Sequence, residues 1–326
     1  MAVDILILGA GWTSAFLIPL LTSTSPPLTY SATSRTGRPG TLPFSFDPDS
    51  DDVGPFEILP DARTVLITFP ILTPQAAERL VGLYGRSRKG GDKDKNFKTG
   101  FILLGTSGIW AGPRIPSPSP SQAGSPQPEP DPKPTPIWHD RHTPPSVHPR
   151  ALAETAFLAL STPQTPTTVL NLAGLWGGGV GGAQRDPRDW LTRVAPTKAA
   201  LRDKRSLHLL HGHDLARAIL AVHADRFVQA AGQRWLVTDG RVYDWWDLAA
   251  AWGSSLDAGE TETAPGSGPP HPRPCPCYAR WVRELMREQG VRALPRGVGE
   301  LGRALDSREF WEVFGLSPVR PLLVRE

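Results

Sequence analysis

Gly9 and Gly11 stand where an apolar run, Val3 to Leu8, gives way to a second one, Ala15 to Leu21, with Trp12-Thr13-Ser14 between them. Glycine at the first position permits a tight turn. At the second it lets backbone N–H groups approach an anion at the positive end of the following helix. The chemistry this spacing serves is the holding of a dinucleotide pyrophosphate by Gly9, Gly11, Trp12, Thr13 and Ser14, and the strand before and helix after give the glycines their meaning. Ser14 replaces the usual third glycine, or Ala15 does if the spacing slides by one; the plainer alternative is an ordinary strand-to-helix turn. A further apolar run, Leu28 to Thr33, leads into Ser34-Arg35-Thr36-Gly37-Arg38, with no carboxylate before Asp47. A carboxylate there would hold a ribose 2′-hydroxyl. Ser34, Arg35 and Arg38 suit a 2′-phosphate instead, because guanidinium pairs with phosphate in a two-pronged fashion, so NADP(H) is the expected cofactor. The competing reading makes both arginines solvated loop residues.

Other groups could move protons. His148 follows Ser146 by two residues, and imidazole titrates near neutrality, so His148 is a candidate acid; a histidine in a Pro-rich loop is more often simply solvated. His208, His211 and His213 alternate along a stretch that reads as a strand, which would place all three on one face; the expectation is a structural role, with Asp214 as N-cap of the next helix. Trp235, Trp245, Trp246 and Trp252 interleave with Leu and Ala, which predicts the core of a smaller lobe and not a platform for bases.

The elements that must position these residues follow from the apolar runs. Beyond the first two strands, runs at Thr64 to Thr68, Phe101 to Leu104 and Thr167 to Leu172 are separated by helix-compatible stretches at Pro74 to Tyr84 and Ala151 to Leu160. Strands alternating with helices predict an α/β fold, a doubly wound parallel sheet covered on both faces. Pro19 predicts a short or kinked first helix. Between Pro113 and Pro136, ten prolines in twenty-four residues can neither pair in a sheet nor bury an apolar face, so a disordered insertion is expected. A second break, Gly253 to Pro276, separates the helix-like Trp245 to Trp252 from helical spacing at Tyr278 to Gln289 and Ser307 to Phe314.

A chain of 326 residues suits one large domain with a smaller lobe. Its 35 basic and 32 acidic residues nearly cancel, leaving a formal charge of +3, which is no electrostatic footprint for nucleic acid. The one basic cluster, seven residues from Arg185 to Arg205, is opposed by three acids. Cys275-Pro276-Cys277 is too tight for an easy disulfide and lacks the second pair a structural zinc needs, so ordinary thiols and no metal are expected. Asp4 and the glycine break argue against a signal peptide, and no apolar run reaches membrane-spanning length, so the expectation is a cytoplasmic protein with no membrane partner.

Taken together these residues resemble the short-chain dehydrogenase/reductase superfamily, in its extended or atypical branch that includes NAD-dependent epimerases and dehydratases, from Ile5 to about Trp252. Phe46-Asp47 is similar to the adenine-side loop, and Thr68-Phe69-Pro70 to the chain passing the cofactor. Leu103 to Trp110 resembles the strand carrying the catalytic Ser/Thr, which gives Thr106 that role with Ser107 beside it. Leu172 to Gly177 resembles the stretch that closes over the nicotinamide, and His211 to Ile219 the family's His-Val-Asp-Asp-Leu-Ala segment. The departure is at the Tyr-x-x-x-Lys pair. Counting back from the helix glutamate, Glu154, puts Arg150 at the lysine position and Ser146 at the tyrosine position. Arg150 could hold ribose hydroxyls, but Ser146 cannot replace a phenol.

The resemblance implies a Rossmann domain over residues 1–173. It implies a substrate lobe over 174–326, to which about 206–240 contribute returning Rossmann elements. The activity it implies is NADP-dependent hydride transfer to or from a small-molecule carbonyl, alcohol or sugar-like substrate, with Trp176 to Gly182 and the lobe touching that substrate. Ser146 keeps a second reading open, a non-catalytic NADP-binding redox sensor or scaffold.

Overall fold

A computed structural model describes residues 2–88, 98–111, 137–146, 148–257 and 277–322. The expected insertion, Pro113 to Pro136, lies outside the described residues, as do Cys275 and most of the second break. The sheet strands are β1 (Val3–Leu8), β2 (Tyr30–Ser34), β3 (Leu42–Pro43), β4 (Ala62–Ile67), β5 (Gly100–Thr106), β6 (Thr167–Leu172) and β7 (Arg234–Val237). They lie side by side in the order β3-β2-β1-β4-β5-β6-β7, every pairing parallel. Strand order therefore reverses beside β1, and sheets of this topology bind ligands outside the C-terminal ends of the strands at such a point, here β1 and β4.

Alternation along each strand explains the two layers of helix. Ile5 and Ile7 join Leu66, Ile102, Leu104 and Leu170 on one face, under α1 (Ser14–Ser23) and the later helix Gly212–Ala224. Leu6 and Leu8 join Val65, Ile67, Phe101 and Leu103 on the other, under α2 (Pro74–Ser87) and α3 (Pro149–Ala159). The Gly212–Ala224 helix is α4. Pro19 lies inside α1 without ending it. A proline in a helix interior costs about 3 kcal/mol, whereas burying Phe16, Leu17 and Leu21 stabilises by roughly 1.5–3 kcal/mol each, so the packed face wins.

Outside the main sheet are three two-stranded ribbons and, among the described residues, several further helices, in the part of the chain expected to form the lobe. Gly174–Trp176 pairs with Leu209–His211, Ser206–Leu207 with Tyr243–Asp244, and Ile137–His139 with Arg303–Leu305. Helices α5 (Trp245–Asp257) and α6 (Cys277–Glu288) bury Trp245, Trp246, Tyr278, Val282 and Leu285 together. Arg296 anchors this lobe, donating to Asp244 at 2.7 Å with its guanidinium 3.9 Å from the Trp246 ring. Trp235 departs from the expected lobe core. It belongs to β7 and packs on Phe310 and Phe314, because the RWLV stretch completes the main sheet.

The histidine strand is corrected too. Leu209–His211 is only three residues long, so His208 precedes it and His213 lies in the first turn of α4. His211 caps α4, its Nδ1 accepting from the His213 N–H at 3.1 Å. Asp214, expected as that cap, is instead fully buried and accepts from the N–H groups of Val319 and Arg320, at 3.0 and 2.9 Å, tying down the C-terminal segment. Among the described residues no helix is long and apolar enough to cross a membrane.

Candidate active site

The turn between β1 and α1 is built around Gly9, whose φ of +90° suits glycine and whose Cβ, if present, would lie 2.8 Å from Thr68 Oγ1. Thr68 in turn donates to the Gly9 carbonyl at 2.5 Å. Buried Thr33 accepts from the Gly9 N–H at 3.0 Å, fastening the turn to the end of β2. Ser14 is buried and its hydroxyl donates to the Gly11 carbonyl at 2.6 Å, so it fills the third-glycine position by folding inward. Thr13, also buried, makes no side-chain cap. Among the described residues the N–H groups of Gly11, Trp12 and Thr13 have no acceptor. A Cβ on Gly11 would meet nothing nearer than the Gly9 carbonyl at 3.9 Å. Three free donors at a helix N-terminus, facing open space, are a seat for an anion.

Beyond β2 the polar loop is more structured than its composition suggests. Ser34 is consumed locally, its hydroxyl 2.7 Å from Thr41 Oγ1 and accepting from the Arg38 N–H at 3.0 Å. The Arg38 guanidinium reaches back to the Ala10 carbonyl and so lies against the glycine turn. Arg35 is exposed and has no hydrogen-bond partner among the described residues. On the other side of the turn Phe69 is stacked with Phe46, ring centroids 6.1 Å apart, and lies beside Gly9, while Pro70 is exposed.

Thr106 ends β5 and caps the short 3-10 turn Ser107–Trp110, accepting from the Gly108 N–H at 3.1 Å. Its own hydroxyl proton has no acceptor among the described residues, so it can be given to a ligand. Under Thr106 lies a buried network that the amino-acid pattern did not announce. Glu154 accepts from the Thr106 N–H at 3.3 Å and from Asn171 Nδ2 at 2.8 Å, is paired with Arg234, and is sealed from solvent. A Cβ on Gly105 would strike both Asn171 and Glu154, so the strand end and the network are fitted to one another.

The segment holding the remaining candidates packs beside it. Ser146 donates its hydroxyl to the Ile109 carbonyl at 2.6 Å, which spends the proton it could have passed to a substrate. His148 caps α3, its Nδ1 accepting from the Arg150 N–H at 3.1 Å. Arg150 reaches the Leu104 carbonyl of β5 at 3.2 Å, and its Nε is buried with no partner. Ser107 is buried. Thr106, Ser107 and Arg150 thus meet at the end of β5, whereas Ser146 is tied to the Ile109 carbonyl and His148 to the first turn of α3.

Two further contributions come from residues far along the chain. Trp12 donates from its indole to the Gly177 carbonyl at 3.1 Å, and Arg185 lies over the Trp12 ring at 4.4 Å. Cβ atoms on Gly179 and Gly182 would come within 2.8 and 2.6 Å of Ala15, so only glycine lets this loop lie on the start of α1. His208, 3 % exposed, accepts from the Leu305 N–H at 3.0 Å. Burial, reinforced by Arg303 and His139, pushes its pKa down to about 3. A histidine held neutral when folded stabilises fully above its unfolded pKa of about 6.5, and that contribution is lost as pH falls toward 3. His208→Gln keeps an acceptor for Leu305 and removes the titration. The melting temperature of the variant relative to the parent should therefore rise steadily between pH 6.5 and 4; a constant difference would contradict the assignment.

Two grooves, of about 950 and 630 Å³, open at the opposite end of the sheet, around Asp4, Arg63 and His223 and around Asp61, Tyr84 and Arg88. They lie at the N-terminal ends of the strands, away from the glycine turn, and parallel sheets of this topology bind at the other end.

Comparison with solved structures agrees with this topology. Vestitone reductase from alfalfa is 14% identical, with a TM-score of 0.58 over 98% of this chain and 94% of that one. Yeast methylglyoxal/isovaleraldehyde reductase Gre2, solved with NADPH, is 15% identical, with a TM-score of 0.55 over 97% and 94%. MoeE5, solved with UDP-glucose and NAD, is 16% identical, with a TM-score of 0.56 over 98% and 94%. This chain has the extended short-chain dehydrogenase/reductase fold. No family model and no curated protein matches the sequence.

Proposed function

We propose that this chain is an NADP-dependent oxidoreductase of the extended short-chain type, transferring hydride to or from a carbonyl, carbinol or sugar-like carbon of a small molecule. The observation that carries the proposal is the seat of three acceptor-less N–H groups at Gly11, Trp12 and Thr13 in front of an unobstructed Gly11. Arg150 supports it from the other end of the crevice, since a buried Nε without a partner is costly unless a ligand hydroxyl or carbonyl meets it. The nicotinamide, when bound, supplies or accepts the hydride. The chain's own part is to hold pyrophosphate at the turn, to surround the adenosine with Arg35 and Arg38, and to present the Thr106 hydroxyl to the substrate oxygen. Trp12, Arg185 and the 177–182 loop close the site from above.

Arg35 gives the cleanest test of cofactor choice, because it supports nothing in the fold. NADPH is expected to bind about tenfold more tightly than NADH, as one charge-assisted contact at an exposed site allows. Arg35→Ala should erase most of that preference and leave NADH affinity alone, as read by fluorescence titration of both cofactors. Equal affinities in the parent would sink the NADP assignment. The second reading, an NADP-binding sensor without catalysis, is favoured by one observation, the Ser146 hydroxyl being bound to the Ile109 carbonyl.

A further inference from the structure

Arg303 approaches the catalytic end of β5 from the other side. Its guanidinium donates to the Ser107 carbonyl at 3.3 Å, a long bond using one of the five N–H donors an arginine carries. It has no carboxylate partner among the described residues, although burial lowers its pKa. In the Ile137–His139/Arg303–Leu305 ribbon, Arg303 is opposite Ile137 and Leu305 opposite His139. Arg303 and His139 therefore stand two residues apart on the same face. The ring of His208 is fixed against this ribbon by the Leu305 N–H, which its Nε2 accepts. Since Nε2 is the acceptor, the proton of this neutral ring is on Nδ1, and that N–H is buried without a partner. The Nδ1 atom of His139 is likewise buried and unpartnered.

We infer that Arg303, His208 and His139 form an oxyanion subsite beside Ser107, so that the substrate carries a carboxylate or phosphate group near its reacting carbon. This rests on the reading of the β5 end as the catalytic one. The chemistry is one-sided. Arg303 offers several unused donors and the His208 Nδ1–H one more, and no carboxylate among the described residues pairs with the guanidinium; the Asp140 carboxylate, which acts on His139, accepts from the His142 and Thr143 N–H groups and the Thr143 hydroxyl. A cation is excluded by the guanidinium. A neutral hydroxyl would leave the arginine, already partly desolvated, without a counter-charge. An oxyanion satisfies the donors together and matches the arginine fork in shape. The subsite is continuous with the site already described, because Ser107 follows Thr106 and an anion on Arg303 would set the rest of a small substrate against the Thr106 hydroxyl.

The probes are malonate, inorganic phosphate and the neutral malonamide, titrated at matched ionic strength onto the full chain saturated with NADPH, with binding read by calorimetry or thermal shift. Malonate or phosphate is expected to bind and malonamide not to, the stronger of the two anions identifying carboxylate or phosphate as the source. Arg303→Met should weaken that anion ten- to a hundredfold, and His208→Gln severalfold, while NADPH affinity changes less than twofold. Should Arg303→Met fail to fold, Arg303→Lys keeps the charge and loses the fork, and is expected to weaken the anion about tenfold. Anion binding no stronger than malonamide, or unchanged in these variants, overturns the subsite even if NADPH binds normally. Loss of NADPH binding in the parent chain would count against the oxidoreductase reading instead, and anion binding to the chain without cofactor would still decide the subsite.

Discussion

Gly11→Val is expected to abolish measurable binding of both NADPH and NADH, a loss of more than a hundredfold, while the melting temperature of the free protein stays close to that of the parent. The two halves of this expectation come from the same geometry. A Cβ at Gly11 meets only the Gly9 carbonyl, at 3.9 Å, so the protein has room for it. The room it takes lies in front of the free N–H groups of Gly11, Trp12 and Thr13. Each charge-assisted bond to a phosphate is worth roughly 1.5–3 kcal/mol, so excluding pyrophosphate from two of them exceeds a hundredfold in affinity. Gly9→Ala is the contrasting variant. It must hold φ near +90° and push Thr68 away, so it should lower stability as well as affinity. Fluorescence titration and melts of both variants check this. Gly11→Val binding NADPH within tenfold of the parent would remove the turn as the pyrophosphate seat.

Much of the frame that seats this turn was legible because strands buried on both faces write themselves as continuous apolar runs. Thr167 to Leu172 coincides with β6, and Val3 to Leu8 with β1. β3 and β7 left no such trace: LP and RWLV are too short for a period to show, and Trp235 reads equally well as lobe core. Cap assignments failed for a related reason. His211 and His148 serve as N-caps through Nδ1, a role composition does not signal, and Asp214 was displaced from it by the distant N–H groups of Val319 and Arg320. At the candidate site, Gly9, Gly11 and Thr106 could be singled out because what marks them, a glycine turn between strand and helix and a hydroxyl at a strand end, is local in the chain. Arg303, Arg185 and the Glu154–Arg234–Asn171 network were not, since each acquires its meaning from partners 17 to 196 positions away, and only the folded chain makes them neighbours.

Thr106→Val is expected to lower kcat for carbonyl reduction about a hundred- to a thousandfold with NADPH affinity unchanged, and Thr106→Ser to recover all but about tenfold of it. The Thr106 hydroxyl has its proton to give: it accepts from the Gly108 N–H and has no acceptor among the described residues, whereas Ser146 has given its own proton to the Ile109 carbonyl. Removing a single preorganised donor to a developing oxyanion costs that much in characterised enzymes. His148 separates the proton routes. As a cap it is replaceable by asparagine, which accepts from the same helix N–H groups, so His148→Asn should keep its rate and show no altered pH profile, while His148→Ala costs about 1 kcal/mol of stability. A pH-rate inflection that vanishes in His148→Asn would make the imidazole the acid after all, requiring it to leave its cap during turnover. Ser146→Tyr tests the remaining possibility, that the site lacks only a phenol. If the parent reduces no carbonyl, oxidises no alcohol and yet binds NADPH, and Ser146→Tyr creates no activity, the sensor reading stands in place of the enzyme. The free Thr106 proton favours the enzyme, because a protein that only bound the cofactor would need no spare hydroxyl donor at the end of β5.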